Sequence, residues 1–286
     1  MGYRKLAPDA RRELGKRRTA ELADLLQAGY AAMGRRDVWA AVMRAGAVHL
    51  NHRGAVNAIA IGLQAPEATR VLGYRAWQDE GRQVRKGEEG IRIWGPMRGR
   101  REDEASTPED PEPQDEAPAR GWVSNAVFDI SQTDGPPVTP RPISGSPAQV
   151  VRNRLIAALT AQGDHRAFLI NGVPAEAIDP EDASRALLLK VARTVIESTD
   201  GVDAEQVEAE AAAASHVAAR ILRVPPGPLL VPPSAGWITA DPKNPPVKAS
   251  AVRAITVGRS LAELIGDVCP CCDGTRHTFG RDRADA

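Results

Sequence analysis

Apolar positions in the first third of the chain recur at helical spacing. Leu22, Leu25, Leu26, Tyr30 and Met33 form one stripe within residues 8–47, and Trp39, Val42 and Met43 a second, which predicts two or three helical pieces. Val56, Ile59, Ala60 and Leu63 give a third stripe, setting Asn57 near the start of a helix that Pro66 follows. The pattern then shortens to strand candidates at 70–74, 82–84, 91–94 and 122–130, with Gly81, Gly87 and Gly90 marking turns between the first of them. Residues 133–147 (TDGPPVTPRPISGSP) have the Pro, Gly and Ser density of a linker. Beyond it, a helix is expected over 148–162, with Val151, Leu155, Ile156 and Leu159 inward, and a short strand over 166–170. Asp179 and Pro180 open another helix that runs to about 198, and a further one covers 203–222. The expected fold is α+β: N-terminal helices plus a small antiparallel sheet over 1–132, then a mainly helical domain over 148–266 and a tail over 267–286.

Charge changes this picture by its distribution. The net charge is zero, yet residues 1–100 hold 19 Lys and Arg against 10 Asp and Glu, so the N-terminal domain is basic. Arg11, Arg12, Lys16, Arg17 and Arg18 lie on the polar face of the first helix, either as a second phosphate contact or as a solvated surface. The acidic loop at 101–119 has the opposite sign. Its core, residues 102–116, carries eight acids, no bases and three prolines, a composition that cannot build a core and reads as disordered. It is either a solvated insertion between two strands or an anionic competitor for the basic face. No apolar run approaches the ~18 residues of a membrane span. The N-terminus leads into polar, Arg-rich sequence with no apolar signal core. The only cysteines, Cys269, Cys271 and Cys272, are clustered, which excludes a disulfide framework and fits a reducing, cytoplasmic setting.

The segment Gln64–Pro96 interleaves cations with aromatics. Arg70, Arg75, Arg82, Arg85, Lys86 and Arg92 can meet phosphates, while Tyr74, Trp77 and Trp94 offer flat faces on which unpaired bases stack. The same residues also fit a half-buried meander whose Trp side chains fill a core.

Read in order, this segment resembles the N-terminal domain of ArdC-type antirestriction proteins, a family of conjugative plasmids and phages. The carriers, within residues 39–132, are Asn57, Gln64-Ala65-Pro66, Ala68-Thr69-Arg70, Gly73-Tyr74, Trp77, Gly81-Arg82, Val84 to Glu88 and Val127 to Thr133. Arg53-Gly54 departs from the family's usual Tyr-Ser pair. The resemblance implies binding of single-stranded DNA without marked sequence preference, through Asn57, Arg70, Tyr74, Arg75, Trp77, Arg82, Arg85, Lys86, Arg92 and Trp94. In full-length members the second domain is a zinc metallopeptidase with a His-Glu-x-x-His helix. Here Glu208-Ala209-Glu210 and Ala235-Gly236-Trp237 resemble the stretch downstream of that helix. Lys190, Val191 and Thr194 fall where the two His and the Glu belong. The resemblance therefore implies a degenerate zincin-like domain, since Lys repels zinc and Val takes no proton from water.

Two other constellations carry chemistry. Cys269 and Cys272 form a C-x-x-C pair with His277 five residues on, a candidate zinc site with three ligands of the four a closed site needs. Glu208, Glu210 and His216 are the residues on which a non-standard metal-dependent hydrolase would have to rely. The leading expectation is a non-enzymatic single-stranded DNA-binding protein of antirestriction type. The alternatives are that hydrolase, or a pseudopeptidase that binds a peptide or another protein through the C-terminal domain.

Overall fold

The computed structural model describes residues 7–48, 54–97, 121–137, 147–161, 168–231 and 245–265. Its architecture is α+β. Three helices, α1 (Pro8–Ala32), α2 (Arg36–Val48) and α3 (Ala55–Gln64), precede a small antiparallel sheet of β1 (Val71–Leu72), β3 (Ile91–Pro96) and β4 (Trp122–Asp129) in the order β1-β4-β3. Between β1 and β3 lie a short helix, α4 (Tyr74–Asp79), and β2 (Gln83–Val84), which pairs with β5 (Thr133–Asp134). The second half is mainly helical: α5 (Pro147–Ala161), α6 (Pro180–Glu197), α7 (Ala204–Ile221) and α8 (Pro246–Ile265), with a two-stranded ribbon of β6 (Leu169–Ile170) and β7 (Val173–Pro174).

Local signals explain the helix ends. Asp179 caps α6 by accepting from the backbone N–H groups of Glu181 and Asp182, with Pro180 in the first turn. Asp203 and Gln206 form a capping box on α7. The α4 helix stops in a Schellman turn: Gly81, at φ 72°, donates to the Gln78 carbonyl at 2.9 Å, and Arg82 donates to the Trp77 carbonyl at 2.8 Å. This turn folds Arg82 back toward Trp77, which governs the site described below.

The sheet is held at both edges by side chains. On α3, Asn57 and Gln64 are seven residues apart and so project from the same face two turns on. Asn57 donates to the Trp94 carbonyl and accepts from the Trp94 N–H, both at 2.8 Å. Gln64 makes the same pair of bonds with Arg92, at 2.7 and 2.9 Å. Two amides thus imitate a neighbouring strand and satisfy the outer edge of β3, which would otherwise offer a template for pairing. Past the short β1, the Thr19 hydroxyl of α1 accepts from the Ser124 N–H of β4 at 3.3 Å.

One apolar core runs through both halves. Leu22, Trp39 and Ile59 from the first half join Leu187, Val217 and Ile255 from the second in a single buried cluster. Close helix approach depends on glycine at two positions. A Cβ at Gly62 of α3 would stand 2.8 Å from the Val42 Cα of α2, and one at Gly258 of α8 would stand 2.5 Å from the Ala214 carbonyl oxygen of α7. Among the described residues no helix is long and apolar enough to cross a membrane.

The strands expected at 70–74 and 82–84 shrink to two residues each, because the chain between them coils into α4 instead of remaining extended. The strand expected over 166–170 is confined, among the described residues, to Leu169–Ile170. α8 lies in a stretch for which the sequence reading gave only a mainly helical domain.

Candidate nucleic-acid interface

The ten residues expected to meet DNA divide by environment. Trp77 sits in the middle of α4 with 0% of its surface exposed, and its indole N–H donates to the Phe128 carbonyl at 2.9 Å. The guanidinium carbons of Arg70 and Arg82 lie 5.8 and 6.0 Å from its ring centroid, within range of a cation–π contact. In this arrangement the Trp77 ring has no face left for a base. Cation and aromatic alternate here because they pack on one another.

Arg82 is 8% exposed. It donates to the Thr133 hydroxyl at 2.8 Å, to the Thr133 carbonyl at 2.9 Å and to the Pro136 carbonyl, clamping β5 and the turn after it onto the end of α4. Asn57 is committed to the edge of β3. Arg70 is paired with Glu80 at 2.5 Å. These four residues build the fold around the site.

Asp129 belongs with them, although nothing in its sequence position marks it. Its carboxylate accepts from the N–H groups of Thr69 and Arg70, at 2.8 and 3.0 Å, and from that of Ser131 at 3.0 Å, tying β1 to the turn after β4. Burial works against ionisation of this group, but the hydrogen bonds from Ser131, Arg70 and Thr69 outweigh it and hold the carboxyl below its ordinary value.

Of the rest, Tyr74, Arg85 and Lys86 converge on an open cleft of about 600 Å³, lined by Tyr74, Gln83, Val84, Arg85, Lys86, Gly87, Glu88, Phe128 and Asp134. Tyr74 is 46% exposed and accepts a hydrogen bond from Gln83 at 2.7 Å, so its ring stands fixed at the cleft wall. Phe128 lines the same space, and Gly87, at φ 93°, turns the chain so that Lys86 reaches solvent. Arg85 is exposed but engaged: it donates to Glu88 at 2.9 Å and to the Ser131 carbonyl at 2.6 Å, with Asp134 at 3.6 Å. The hydrogen bond that Arg85 donates to Glu88 raises its proton affinity further, so it is a fixed charge. Arg75 and Lys86 are exposed and have no ion pair among the described residues. Arg92 and Trp94 lie outside the cleft, half-buried on one face of β3. Phe128 and Gln83 are not among the ten residues expected to meet DNA, although Phe128 falls in the run Val127 to Thr133 that carries the resemblance. The available signal was the alternation along β4, which puts Phe128 on the face opposite buried Val127.

Chemically the cleft offers a ring wall, an apolar floor, one free ammonium and one guanidinium bridged to acids. That set suits a flat base and a phosphate better than a reacting group. Residues 12–124 match the family model described as the N-terminal domain of anti-restriction factor ArdC. Over this stretch the chain is ArdC-like. The ArdC-like stretch contains α1 to β3 and the first residues of β4, and so most of the cleft. Two solved structures are similar along most of the chain. One is the metal-free crystal structure of the antirestriction ArdC protein from the R388 plasmid, at 19% identity and TM-score 0.45, covering 86% of this chain and 99% of that one. The other is the Mn(II)-bound structure of the same protein, at 17% identity and TM-score 0.43, covering 82% and 97%. No curated protein matches the chain.

The expected metal chemistry needs correction. Among the described residues no group of three or more His, Cys, Asp and Glu comes together in a way that could hold a metal ion, and the zinc site expected at the C-terminal cysteine cluster does not stand. Cys269, Cys272 and His277 themselves lie outside the described residues. The residues named for a non-standard hydrolase are each engaged by arginine. Arg193 donates to Glu208 at 2.6 Å, Arg253 donates to the fully buried Glu210 at 2.6 Å, and Arg220 donates to the His216 Nε2 at 2.9 Å. Burial, together with the charges of Arg220 and Arg44, pushes the His216 pKa down. Lys190 and Thr194 stand on the exposed face of α6, where the Thr194 hydroxyl bonds back to the Lys190 carbonyl at 3.1 Å.

Proposed function

We propose that this protein is an antirestriction factor of the ArdC type that binds single-stranded DNA without base preference, accompanying incoming plasmid or phage DNA. The observation that carries the reading is the cleft of Tyr74, Phe128, Arg85 and Lys86, most of whose lining falls in the basic stretch that matches the ArdC N-terminal domain. An unpaired base stacks on Tyr74 over the apolar floor, and its phosphate meets Lys86. Arg75 and Arg92 extend the cationic path. Glu88 and Asp134 hold Arg85 in place and limit how much anionic charge the cleft accepts. Stacking reads no base edge, so binding tolerates all sequences.

In this reading residues 1–132 are the DNA-binding unit, and the helices beyond the linker are a degenerate peptidase-like body without catalytic metal. That body contacts another protein. A groove of about 480 Å³ beside the start of α7, lined by Glu205, Glu208, Leu230 and Val231 among others, is the surface that favours such a role.

The test is a fluorescence titration of labelled single-stranded DNA against wild type, Tyr74→Ala and Lys86→Ala. Loss of one base stack costs about 1–3 kcal/mol. Loss of one phosphate contact lowers the log–log salt slope by about 0.7. Two variants that bind like wild type at every salt concentration would remove the cleft from the DNA path.

A further inference from the structure

β3 and β4 pair with Arg92 opposite Ala126, Trp94 opposite Ser124 and Pro96 opposite Trp122, so these six side chains share one face of the sheet. Trp122 is 61% exposed at the end of that face, well above Trp39 and Trp77 at 0%. The bond between Thr19 and the Ser124 N–H seats α1 against β4, and Arg18 precedes Thr19 on that helix. Arg18 and Arg92 are close enough for Arg18 to lower the Arg92 pKa, after the larger effect of burial. Glu21 and Glu89 also face Arg92 and pull the other way. Neither Arg18 nor Arg92 has an ion-pair partner within 4 Å among the described residues, whereas Lys16 and Arg17 on the same helix are paired with Glu13 and Glu21. The face thus carries an exposed indole at one end and Arg92, with Arg18 near it, four strand positions or about 13 Å along, a surface for one flat ring and a phosphate further down the same strand.

We infer that Trp122 is a second base-stacking platform, with Arg92 and Arg18 receiving a phosphate further along the same strand, so that a DNA single strand is held at two points. The inference rests on the single-stranded DNA reading above. Trp122 and Phe128 are six residues apart on β4, a span of about 20 Å at the usual rise of a strand. The two platforms therefore engage different nucleotides of one strand. Oligonucleotides at the short end of the usual site range, about 4 nucleotides, reach only one platform, and those near 16 reach both.

The experiment follows intrinsic tryptophan fluorescence of the full chain on addition of oligothymidylates of these two lengths, for wild type, Trp122→Phe and Trp122→Ala. The long oligonucleotide should quench the solvent-exposed emission of wild type. Trp122→Phe should abolish that quenching and hold affinity within about twofold. Trp122→Ala should weaken the long oligonucleotide about tenfold and narrow the affinity gap between the two lengths. Quenching that persists in Trp122→Phe, or an Ala variant that binds like wild type, overturns the inference and leaves the Tyr74 cleft standing. If the Ala variant fails to fold, as judged by circular dichroism, the quenching result with Trp122→Phe decides. A wild type that binds neither oligonucleotide overturns the reading beneath it, and the inference falls with it.

Discussion

Replacing Arg82 by Ala separates a structural arginine from a phosphate contact. In the basic run Arg82 looks like its neighbours, yet the residue is only 8% exposed and its donors are spent on Thr133 and Pro136. A hydrogen bond from a charged donor contributes about 1.5–3 kcal/mol. The two bonds to Thr133 alone therefore set a loss of about 3 kcal/mol or more, and the Trp77 ring contact adds roughly 0.5–1 kcal/mol. At about 2–4 °C per kcal/mol for a chain of this size, the melting temperature should fall by roughly 7 °C or more. Arg82→Lys keeps the charge but cannot reproduce the planar fork, so it should destabilise by a comparable amount. Thermal melts by circular dichroism, with DNA titrations well below the transition, measure both effects. The expected result is a large drop in stability with the salt slope of DNA binding unchanged. An Ala variant that melts like wild type but loses affinity and salt slope would refute the clamp and return Arg82 to the DNA surface.

Asn57→Ala and Gln64→Ala should each destabilise the protein by about 1–3 kcal/mol in urea unfolding, because each leaves a backbone N–H and C=O of β3 unpaired at the edge; neither should change DNA affinity in conditions where the protein is folded. The depressed carboxyl of Asp129 contributes stability that is fully present above its unfolded pKa of about 3.9 and is lost as pH falls through the lower folded value. Asp129→Asn should therefore flatten the acid limb of the stability curve below about pH 4 while lowering stability at neutral pH; an unchanged acid limb in urea titrations across pH would contradict this.

The helices of the first half were legible because long apolar stripes leave few alternatives. Leu22, Leu26, Tyr30 and Met33 are all buried, as their spacing requires. Asp179-Pro180 also announced the start of α6. The site was legible by segment but not by residue. Composition reports that arginines and aromatics alternate, and that alternation serves equally for a surface that stacks bases and for Trp77 packed between Arg70 and Arg82. Only the six-residue α4, too short to show a helical period, decides between them. Asn57 presented a similar ambiguity. A polar residue near the start of the apolar helix AVNAIAIGLQ signals a demanding partner, and in the fold its amide bonds the backbone of β3. Trp122 stands in the sequence only as the first residue of the strand at 122–130, behind the acidic loop and apart from the basic run, so nothing there marks it as a contact residue.

The most direct test of the central claim is a competition titration of single-stranded against duplex DNA of equal length and sequence, repeated at two salt concentrations. Stacking on Tyr74 needs unpaired bases, so single strands should bind more tightly at both concentrations, with affinity falling as salt rises at a slope of about −0.7 per phosphate contacted. Equal affinity for the two forms, or binding insensitive to salt, would contradict the account.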